Sequence, residues 1–277
     1  FIVPLFALIQ SRTNKQELSR VIAGMNIQNA AFICTAAVIG IVLQRYFAIS
    51  IPQLFLLLAL MNAAVAIYLM VLVPEFLMRF LAWIYIRMMY RVGVHGVEKH
   101  VPDDGPALLV CNHVSYMDAL ILSSAVPRPI RFVMYYKIFN TPGAKWAFKA
   151  ARAIPIAGKS EDAELMQRAF DEVNKALSEG ELVCIFPEGR LTTDGEIGEF
   201  KSGMEYILQK QPVPVVPMAI RGMWASIFSR KGVKSYMRIP GRFRARIEVI
   251  ADAPVAGDSA KATDMEAKVK ALRGDWA

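Results

Sequence analysis

The 277-residue chain is 55% hydrophobic and 20% charged, with a formal net charge of +8 and a mean hydropathy of +0.35. Its apolar fraction exceeds the roughly 45–50% that is usual in soluble domains, which excludes an ordinary soluble protein as a description of the whole chain. The three cysteines form an odd count without metal-ligand spacing, so we expect reduced, buried thiols.

The apolar excess is concentrated before residue 90. Residues 21–43 (VIAGMNIQNAAFICTAAVIGIVL) and 53–73 (QLFLLLALMNAAVAIYLMVLV) carry no charged side chain. As helices, both would cross the roughly 30 Å hydrocarbon core of a bilayer, so we predict a transmembrane segment over residues 1–74. The opening FIVPLFALIQSR has no initiator Met and no signal-peptide pattern, and we expect it to be an internal part of a longer polypeptide.

The loops around the two predicted spans differ in charge. Arg12, Lys15 and Arg20 precede the first span, whereas the connection between the spans holds only Arg45. Because Lys and Arg are retained on the cytoplasmic side, the first loop is predicted to be cytoplasmic, and two crossings return the chain to that side. The net positive charge agrees, since anionic lipid attracts a basic domain.

Residues 75–92 (EFLMRFLAWIYIRMMYRV) predict an amphipathic helix in the membrane interface. Arg79, Arg87 and Arg91 fall on one side of this helix, and Trp83 suits the headgroup level. A third span is the alternative, and the three arginines argue against it.

From residue 93 onward, short apolar runs alternate with helical patterns. This alternation predicts a cytoplasmic α/β domain over residues 93–277, with a mixed or mostly parallel sheet that helices cover on both faces. The predicted strands are ALLVC, IRFVMYY, ELVCIF, VPVVPMAI and RFRARIEVI, and the end of the chain predicts one short surface helix.

The first candidate motif is LLVCNHVSYMDALIL, in which Asn112, His113 and Asp118 follow a predicted strand. A histidine with a carboxylate partner is suited to general base catalysis. Ser115 and Asp118 also have the spacing of a capping box, so Asp118 alone could serve only to satisfy backbone N–H groups at the start of a helix.

The second candidate motif is LVCIFPEGRLTTDG, where Phe186 to Arg190 follow another predicted strand. The carboxyl ends of parallel strands are the usual ligand-binding edge of an α/β sheet. Gly189 permits a close approach of the backbone, and Arg190 offers a guanidinium that matches phosphate oxygens. Taken alone, this segment could be a turn with a surface ion pair.

Together the motifs resemble those of the glycerolipid acyltransferase family, which includes the lysophosphatidic acid acyltransferases. The N-H-x-x-x-x-D motif contains Asn112, His113 and Asp118, and the F-P-E-G motif covers residues 186–189. Two further elements lie in the expected order, AIPIAGKS at 153–160 and VPVVPMAI at 213–220. The resemblance covers residues 90–255.

The resemblance implies transfer of a fatty acyl group from acyl-CoA or acyl carrier protein to a lysophospholipid or 1-acylglycerol-3-phosphate. His113 would be the base and Asp118 its partner, and no cofactor would be needed beyond the acyl donor as co-substrate. The family often has an arginine after the AIPI element; this chain has Lys159 there, which would supply the charge as a point donor. The residues expected to bind substrate are Asn112, Glu188, Gly189, Arg190 and Lys159.

The apolar start also resembles the last helices of a lysophospholipid transporter that some bacteria fuse to such an acyltransferase. FIVPLFALIQSR and AGMNIQNAAF carry this resemblance. It implies the C-terminal part of a fusion protein in the bacterial inner membrane, with membrane phospholipid as a partner and no nucleic acid.

Two other functions remain open from the residues alone. A lipid hydrolase or thioesterase would use Ser115 as its nucleophile, although the sequence has no G-x-S-x-G turn to expose it. A transporter-associated domain could instead bind lipid without catalysis. A metal site is not expected, since His95, His100 and His113 lack ligand spacing.

Overall fold

The computed structural model describes Thr13 and Ser226 and residues 17–72, 74–224 and 244–276. It contains two compact units, Phe1–Leu69 and Met70–Ala277. Residues 1–12, on which the predicted transporter resemblance partly depends, lie outside the described residues, as do Arg12 and Lys15 of the predicted cytoplasmic loop.

Two long helices, α1 (Leu18–Tyr46) and α2 (Ile51–Leu72), account for the predicted spans. Both are long and apolar enough to cross a membrane over Leu18–Tyr46 and Ile51–Tyr68. Large apolar side chains point outward all around them, for example Phe32 and Phe55. This is the surface expected of helices that contact lipid or other helices. Cys34 is one of these exposed side chains, so the prediction that all three thiols are buried is wrong for Cys34.

The second unit contains a seven-stranded sheet with the order β1-β7-β6-β2-β5-β3-β4. All neighbouring strands are parallel except β6 and β7. The predicted α/β class with a mostly parallel sheet is therefore confirmed. The strands are β1 (Tyr90–His95), β2 (Ala107–Cys111), β3 (Ile130–Tyr135), β4 (Ile154–Ile156), β5 (Leu182–Ile185), β6 (Val215–Arg221) and β7 (Ala245–Ala251).

Helices cover both faces of the sheet, and β2 shows why. All five of its residues are buried; Leu109 packs in the core on one face and Leu108 in the core on the other. Such a strand needs a helical layer on each side. The helices of this unit are α3 (Pro74–Met89), α4 (Val97–His100), α5 (Asp118–Ala125), α6 (Tyr136–Phe139), α7 (Lys145–Ala150), α8 (Ala163–Ser178), α9 (Gly203–Lys210) and α10 (Ala262–Arg273).

The predicted interfacial helix ends earlier than expected. It stops at Met89, and residues 90–92 belong to β1, which pairs with β7 from Tyr90 to His95. Long-range strand pairing has overridden the helical pattern of these residues, and such pairing leaves no trace in a local window. Helix α3 packs on α5, with Ile86 fully buried and Trp83 on the exposed side.

Two further expectations for individual residues need correction. Arg79 does not join an interfacial row of arginines, because its guanidinium donates to the carbonyls of Val126 and Pro127 at 2.8 and 2.7 Å. The predicted C-terminal surface helix is α10, but Met265 and Val269 on it are buried against the sheet.

Arg128 fastens the loops at the amino ends of β2 and β5. Its guanidinium donates to the carbonyls of Pro102 and Gly105, both at 2.8 Å, and of Gly180 at 2.9 Å. Three backbone acceptors thus depend on one side chain.

We predict that Arg128→Met lowers the melting temperature of the full chain in detergent by about 3–10 °C, because it leaves three carbonyls without their charged donor. Arg168→Met is the matched control, since Arg168 pairs with Glu164 at a site where the side chains are 72% and 77% exposed. Such surface pairs contribute little. Equal shifts in the two variants, measured by thermal unfolding, would contradict the role assigned to Arg128.

Candidate active site

The two sequence motifs meet at one edge of the sheet. Strand β2 ends at Cys111 and is followed by Asn112 and His113, while β5 ends at Ile185, three residues before Glu188. The two strands are parallel neighbours, so their carboxyl ends lie side by side. The structure thereby brings together segments that are 75 residues apart in the chain.

His113 and Asp118 form a hydrogen-bonded pair. The His113 Nδ1 atom lies 2.9 Å from Asp118 Oδ2, and this oxygen also accepts the backbone N–H groups of Val114 and Ser115 at 2.7 and 2.9 Å. Because Oδ2 acts as an acceptor throughout, Nδ1 carries the proton and Nε2 keeps its lone pair. The His113 side chain is 20% exposed and that of Asp118 is fully buried.

Asp118 also holds the turn that precedes α5. It is the first residue of this helix, whose N-cap residue Met117 has no side-chain cap hydrogen bond. Its carboxylate accepts the Ser115 N–H, and the Ser115 hydroxyl oxygen accepts the N–H of Met117 at 3.2 Å. One carboxylate therefore both holds the turn before the helix and orients the imidazole. The helix start makes the position of the carboxylate rigid.

Phe186 fixes the plane of the imidazole. Its ring stacks on that of His113 with centroids 4.1 Å apart and an angle of 14° between the planes. The ring centroid of Phe186 is also 6.4 Å from that of Phe132, a residue of the hydrophobic core. Phe186 belongs to the F-P-E-G motif, but no role was predicted for it from sequence. Stacking and the bond to Asp118 together restrict the ring to one orientation.

Glu188 joins the two motif segments. Its Oε1 accepts the backbone N–H of His113, and its Oε2 accepts that of Gly198, both at 2.8 Å. A Cβ on Gly198 would lie 3.3 Å from Oε2, so a glycine suits this close approach. Burial raises the pKa of Glu188, and the two backbone hydrogen bonds oppose the rise. Glu188 thus has a structural role, and its predicted substrate contact stays a prediction.

Asn112 is likewise structural. Its side-chain amide donates to the carbonyl of Ile220 at 3.1 Å and accepts the Ile220 N–H at 2.8 Å, and the residue is 1% exposed. Both ends of the amide are thus used to tie the end of β2 to β6. The expectation that Asn112 binds substrate stays a prediction beside this structural role.

Gly189 and Arg190 lie on the exposed side of this edge. Gly189 has φ +66°, and a Cβ there would lie 2.8 Å from the Nζ atom of Lys201. Arg190 makes no hydrogen bond or ion pair within the described part of the chain. Lys201 was not predicted as a site residue, because its ammonium group lies near the F-P-E-G loop only in the folded chain.

Lys159 follows β4 at the same edge and is exposed. Strand β3 separates β4 from β5. Neighbouring strands are about 4.8 Å apart, so the strand before Lys159 is offset by roughly 10 Å from β5, the strand before Arg190. The structure places it on the same side of the sheet as Arg190 but not beside the His113 pair.

Other nucleophiles near the pair are inaccessible. Ser115 is 1% exposed, and Cys111 and Cys184 are fully buried. Burial raises the pKa of both thiols. The His113 ring is therefore the partly exposed reactive group at the junction of β2 and β5.

Comparison with known proteins agrees with this geometry. Residues 91–221 match the sequence profile of the family described as Acyltransferase. Both motifs, from Asn112 to Arg190, lie within the match, so the predicted family resemblance is confirmed. The fusion to a transporter stays a prediction.

Several relatives are enzymes of glycerolipid synthesis. The chain is 30% identical to the chloroplastic 1-acyl-sn-glycerol-3-phosphate acyltransferase LPAT1 of Arabidopsis thaliana, over 53% of this chain and 41% of that protein. It is 28% identical to a probable 1-acyl-sn-glycerol-3-phosphate acyltransferase of Mycoplasma pneumoniae, over 53% and 56%. The chain thus spans about half the length of these curated relatives.

A solved structure supports the fold. The crystal structure of the 1-acyl-sn-glycerophosphate (LPA) acyltransferase PlsC from Thermotoga maritima superimposes with a TM-score of 0.58, covering 73% of this chain and 81% of that one. At 21% sequence identity, this likeness concerns the fold.

The buried Glu188 predicts a specific pH dependence of stability. Since its pKa is raised in the folded chain, its contribution to stability is fully present below the unfolded-state pKa, about 4.3, and is lost as the pH rises through the folded-state pKa. We expect the difference in melting temperature between the wild type and Glu188→Gln to narrow as the pH rises above the unfolded-state pKa of about 4.3. Glu164→Gln, at an exposed position, is the control. A difference that widens with pH would contradict the assignment.

Proposed function

We propose that the chain transfers a fatty acyl group from a thioester donor, acyl-CoA or acyl carrier protein, to the free hydroxyl of a lysophospholipid or 1-acylglycerol-3-phosphate. The observation that carries this proposal is the His113–Asp118 pair, with Nε2 available at a partly exposed sheet edge. The names of the relatives supply the substrate class.

His113 serves as the general base. Its Nε2 takes the proton of the acceptor hydroxyl while the hydroxyl oxygen bonds to the thioester carbonyl carbon. The tetrahedral intermediate then collapses, the carbon–sulfur bond breaks, and the imidazolium returns the proton to the leaving thiolate. Asp118 Oδ2, 2.9 Å from Nδ1, stabilises the imidazolium between these steps, as the acid does in a Ser-His-Asp triad.

Exposed cations on the β5 side would hold the acceptor phosphate. Arg190 makes no ion pair within the described residues, and Lys201 approaches Gly189 next to it. A guanidinium and an ammonium separated by one glycine form an anion site at this edge. Lys159, farther along the edge, would extend this positive surface. Gly189 leaves room for the Lys201 side chain to lie beside Arg190.

The chain would work at a membrane surface. The two long apolar helices are consistent with membrane association, and the basic loop before α1 supports a cytoplasmic catalytic domain in a bacterial inner membrane. Exposed Phe80, Trp83 and Met88 on α3 support an interfacial helix. We propose a transporter-like segment over 1–74, an interfacial helix over 75–89 and an acyltransferase domain over 90–277 that includes all of β1.

We expect His113→Ala to lower kcat by about 10²–10⁴-fold, which is the usual contribution of a general base. Asp118→Asn should lower kcat strongly as well, since the amide favours the wrong imidazole tautomer. Acyl transfer is measured in membranes with labelled acyl-CoA and a panel of lysophospholipids. Folding of each variant is checked by thermal unfolding.

Ser115→Ala separates the alternatives in the same assay. An acyltransferase keeps most of its activity, whereas a hydrolase that uses Ser115 loses it. Product formation unchanged by His113→Ala would instead indicate a lipid-binding domain without catalysis and would overturn the proposal.

Arg190→Gln should raise the KM for the acceptor by about 10–100-fold, the loss expected for one charged phosphate contact, with little change in the KM for the donor. Arg168→Gln, an exposed arginine on α8, is the control. If Arg190→Gln changes only the KM for the donor, Arg190 does not bind the acceptor phosphate.

A further inference from the structure

An open cleft with four arginines lies beyond the β1 end of the same sheet edge. It has a volume of about 600 Å³, which is within the usual range for small-molecule sites. We call it the arginine cleft. Its lining residues are Arg87, Tyr90, Arg91, Val92, Gly93, Arg244, Ala245 and Arg246.

The positive charge of the arginine cleft is largely uncompensated. Arg246 donates to Glu248 at 2.8 Å, and this carboxylate also lies 4.0 Å from Arg221 and from His95. Arg87 lies over the Trp83 ring at 5.6 Å. Among the described residues, Arg87, Arg91 and Arg244 have no acidic partner. Clustered like charges oppose folding, so their concentration here indicates an anionic ligand.

The fold holds these arginines together from three elements. Arg87 lies on α3, and Arg91 on β1 is directly paired with Arg246 on β7. Arg244 has φ +54°, which is unusual for a residue with a side chain, and its N–H donates to the carbonyl of Met89 at 3.0 Å. Such a backbone conformation commonly marks a functional position.

The arginine cleft opens toward the same edge as His113. Strand β7 runs antiparallel to β6 and parallel to β1, so Tyr90 and Ala245 lie where β2 and β6 end. Strands β7 and β6 separate β1 from β2, an offset of about 14 Å across the sheet. Burial raises the pKa of Tyr90 to about 12, and the charge of Asp118 adds to this rise.

We propose that the arginine cleft binds the phosphate groups of a coenzyme A thioester, which makes acyl-CoA the donor in the reaction proposed above. Coenzyme A concentrates its phosphates at one end, and several guanidiniums match such a group better than they match a single phosphate. Its thioester lies at the other end of an arm of roughly thirteen bonds, which spans about 15 Å when extended. The arm therefore bridges the offset between the cleft and His113.

This assignment separates the two substrates along the edge. The donor approaches from the β1 side and the acceptor phosphate from the β5 side, so the thioester and the hydroxyl meet at His113 between them. The arrangement explains why cations lie on both sides of β2. It depends on the proposed transferase function for its reaction, but the binding of coenzyme A can be measured without turnover.

The test uses the full chain in nanodiscs of neutral lipid. Binding of desulfo-coenzyme A is measured by calorimetry for the wild type, Arg91→Gln, Arg244→Gln and the double variant, with Arg168→Gln as the matched control. We expect each single variant to bind about 10-fold more weakly than the wild type, and the double variant at least about 100-fold more weakly. The affinity of the control should be unchanged. In the wild type, dephospho-coenzyme A should bind more weakly than coenzyme A.

Kinetics and vesicle binding distinguish the other phosphate sources. We expect the double variant to raise the KM for acyl-CoA and to leave the acceptor KM and kcat nearly unchanged. Unaltered coenzyme A affinity in the double variant overturns the inference. A double variant that loses affinity only for acyl carrier protein also overturns it. A double variant that loses affinity only for vesicles of anionic phospholipid overturns it too, and would assign the cleft to a lipid headgroup.

The outcome for the proposed function is read separately. If the wild type transfers acyl groups and the double variant has the same KM for acyl-CoA, only the assignment of the cleft is refuted. A wild type that transfers none refutes the proposed reaction, and the binding measurement still decides whether the cleft takes coenzyme A.

Discussion

The active edge depends on the carboxylate of Glu188. It accepts one backbone N–H from the segment after β2 and another from the loop that returns at Gly198. Parallel pairing of β2 and β5 brings the motif segments to one edge, but pairing ends with the strands and does not fix the loops beyond them. The Glu188 carboxylate provides that connection inside the core, where an unmade hydrogen bond would be costly. The position of the His113 ring follows from it.

A second carboxylate then sets the chemistry. Asp118 is held by the start of α5 and by the N–H groups of Val114 and Ser115, so its position is fixed before it contacts His113. Phe186 closes the other side of the ring by stacking. The imidazole is thus restrained by Asp118, in the segment after β2, and by Phe186, in the segment after β5. This preorganisation is what a general base needs, since it avoids reorientation during proton transfer.

Much of this arrangement could be predicted from local sequence. Buried runs such as ALLVC predicted parallel strands because both faces of such strands are covered, and the known placement of ligands at carboxyl strand ends predicted that His113 and Glu188 would share an edge. The prediction for residues 90–92 failed because their partner is distant. These residues have a helical pattern, but β7, their pairing partner, follows more than 150 residues later. For the same reason the sequence did not predict the backbone contacts of Asn112 with Ile220 and of Glu188 with the His113 N–H.

The distinction between buried and exposed polar groups has a functional consequence. The buried members of the motifs, Asn112, Asp118 and Glu188, are saturated mainly by backbone groups and hold the edge in shape. The cations without ion pairs among the described residues, such as Arg190 and Arg244, are exposed on opposite sides of β2. A carboxylate can be held in place by N–H groups, whereas a guanidinium without an acidic partner is available to pair with an anionic ligand. Both substrates of the proposed reaction, a thioester such as acyl-CoA and a lysophospholipid, carry phosphate. In that reaction the strand order would keep the two phosphate sites apart, and would therefore contribute to specificity together with the side chains.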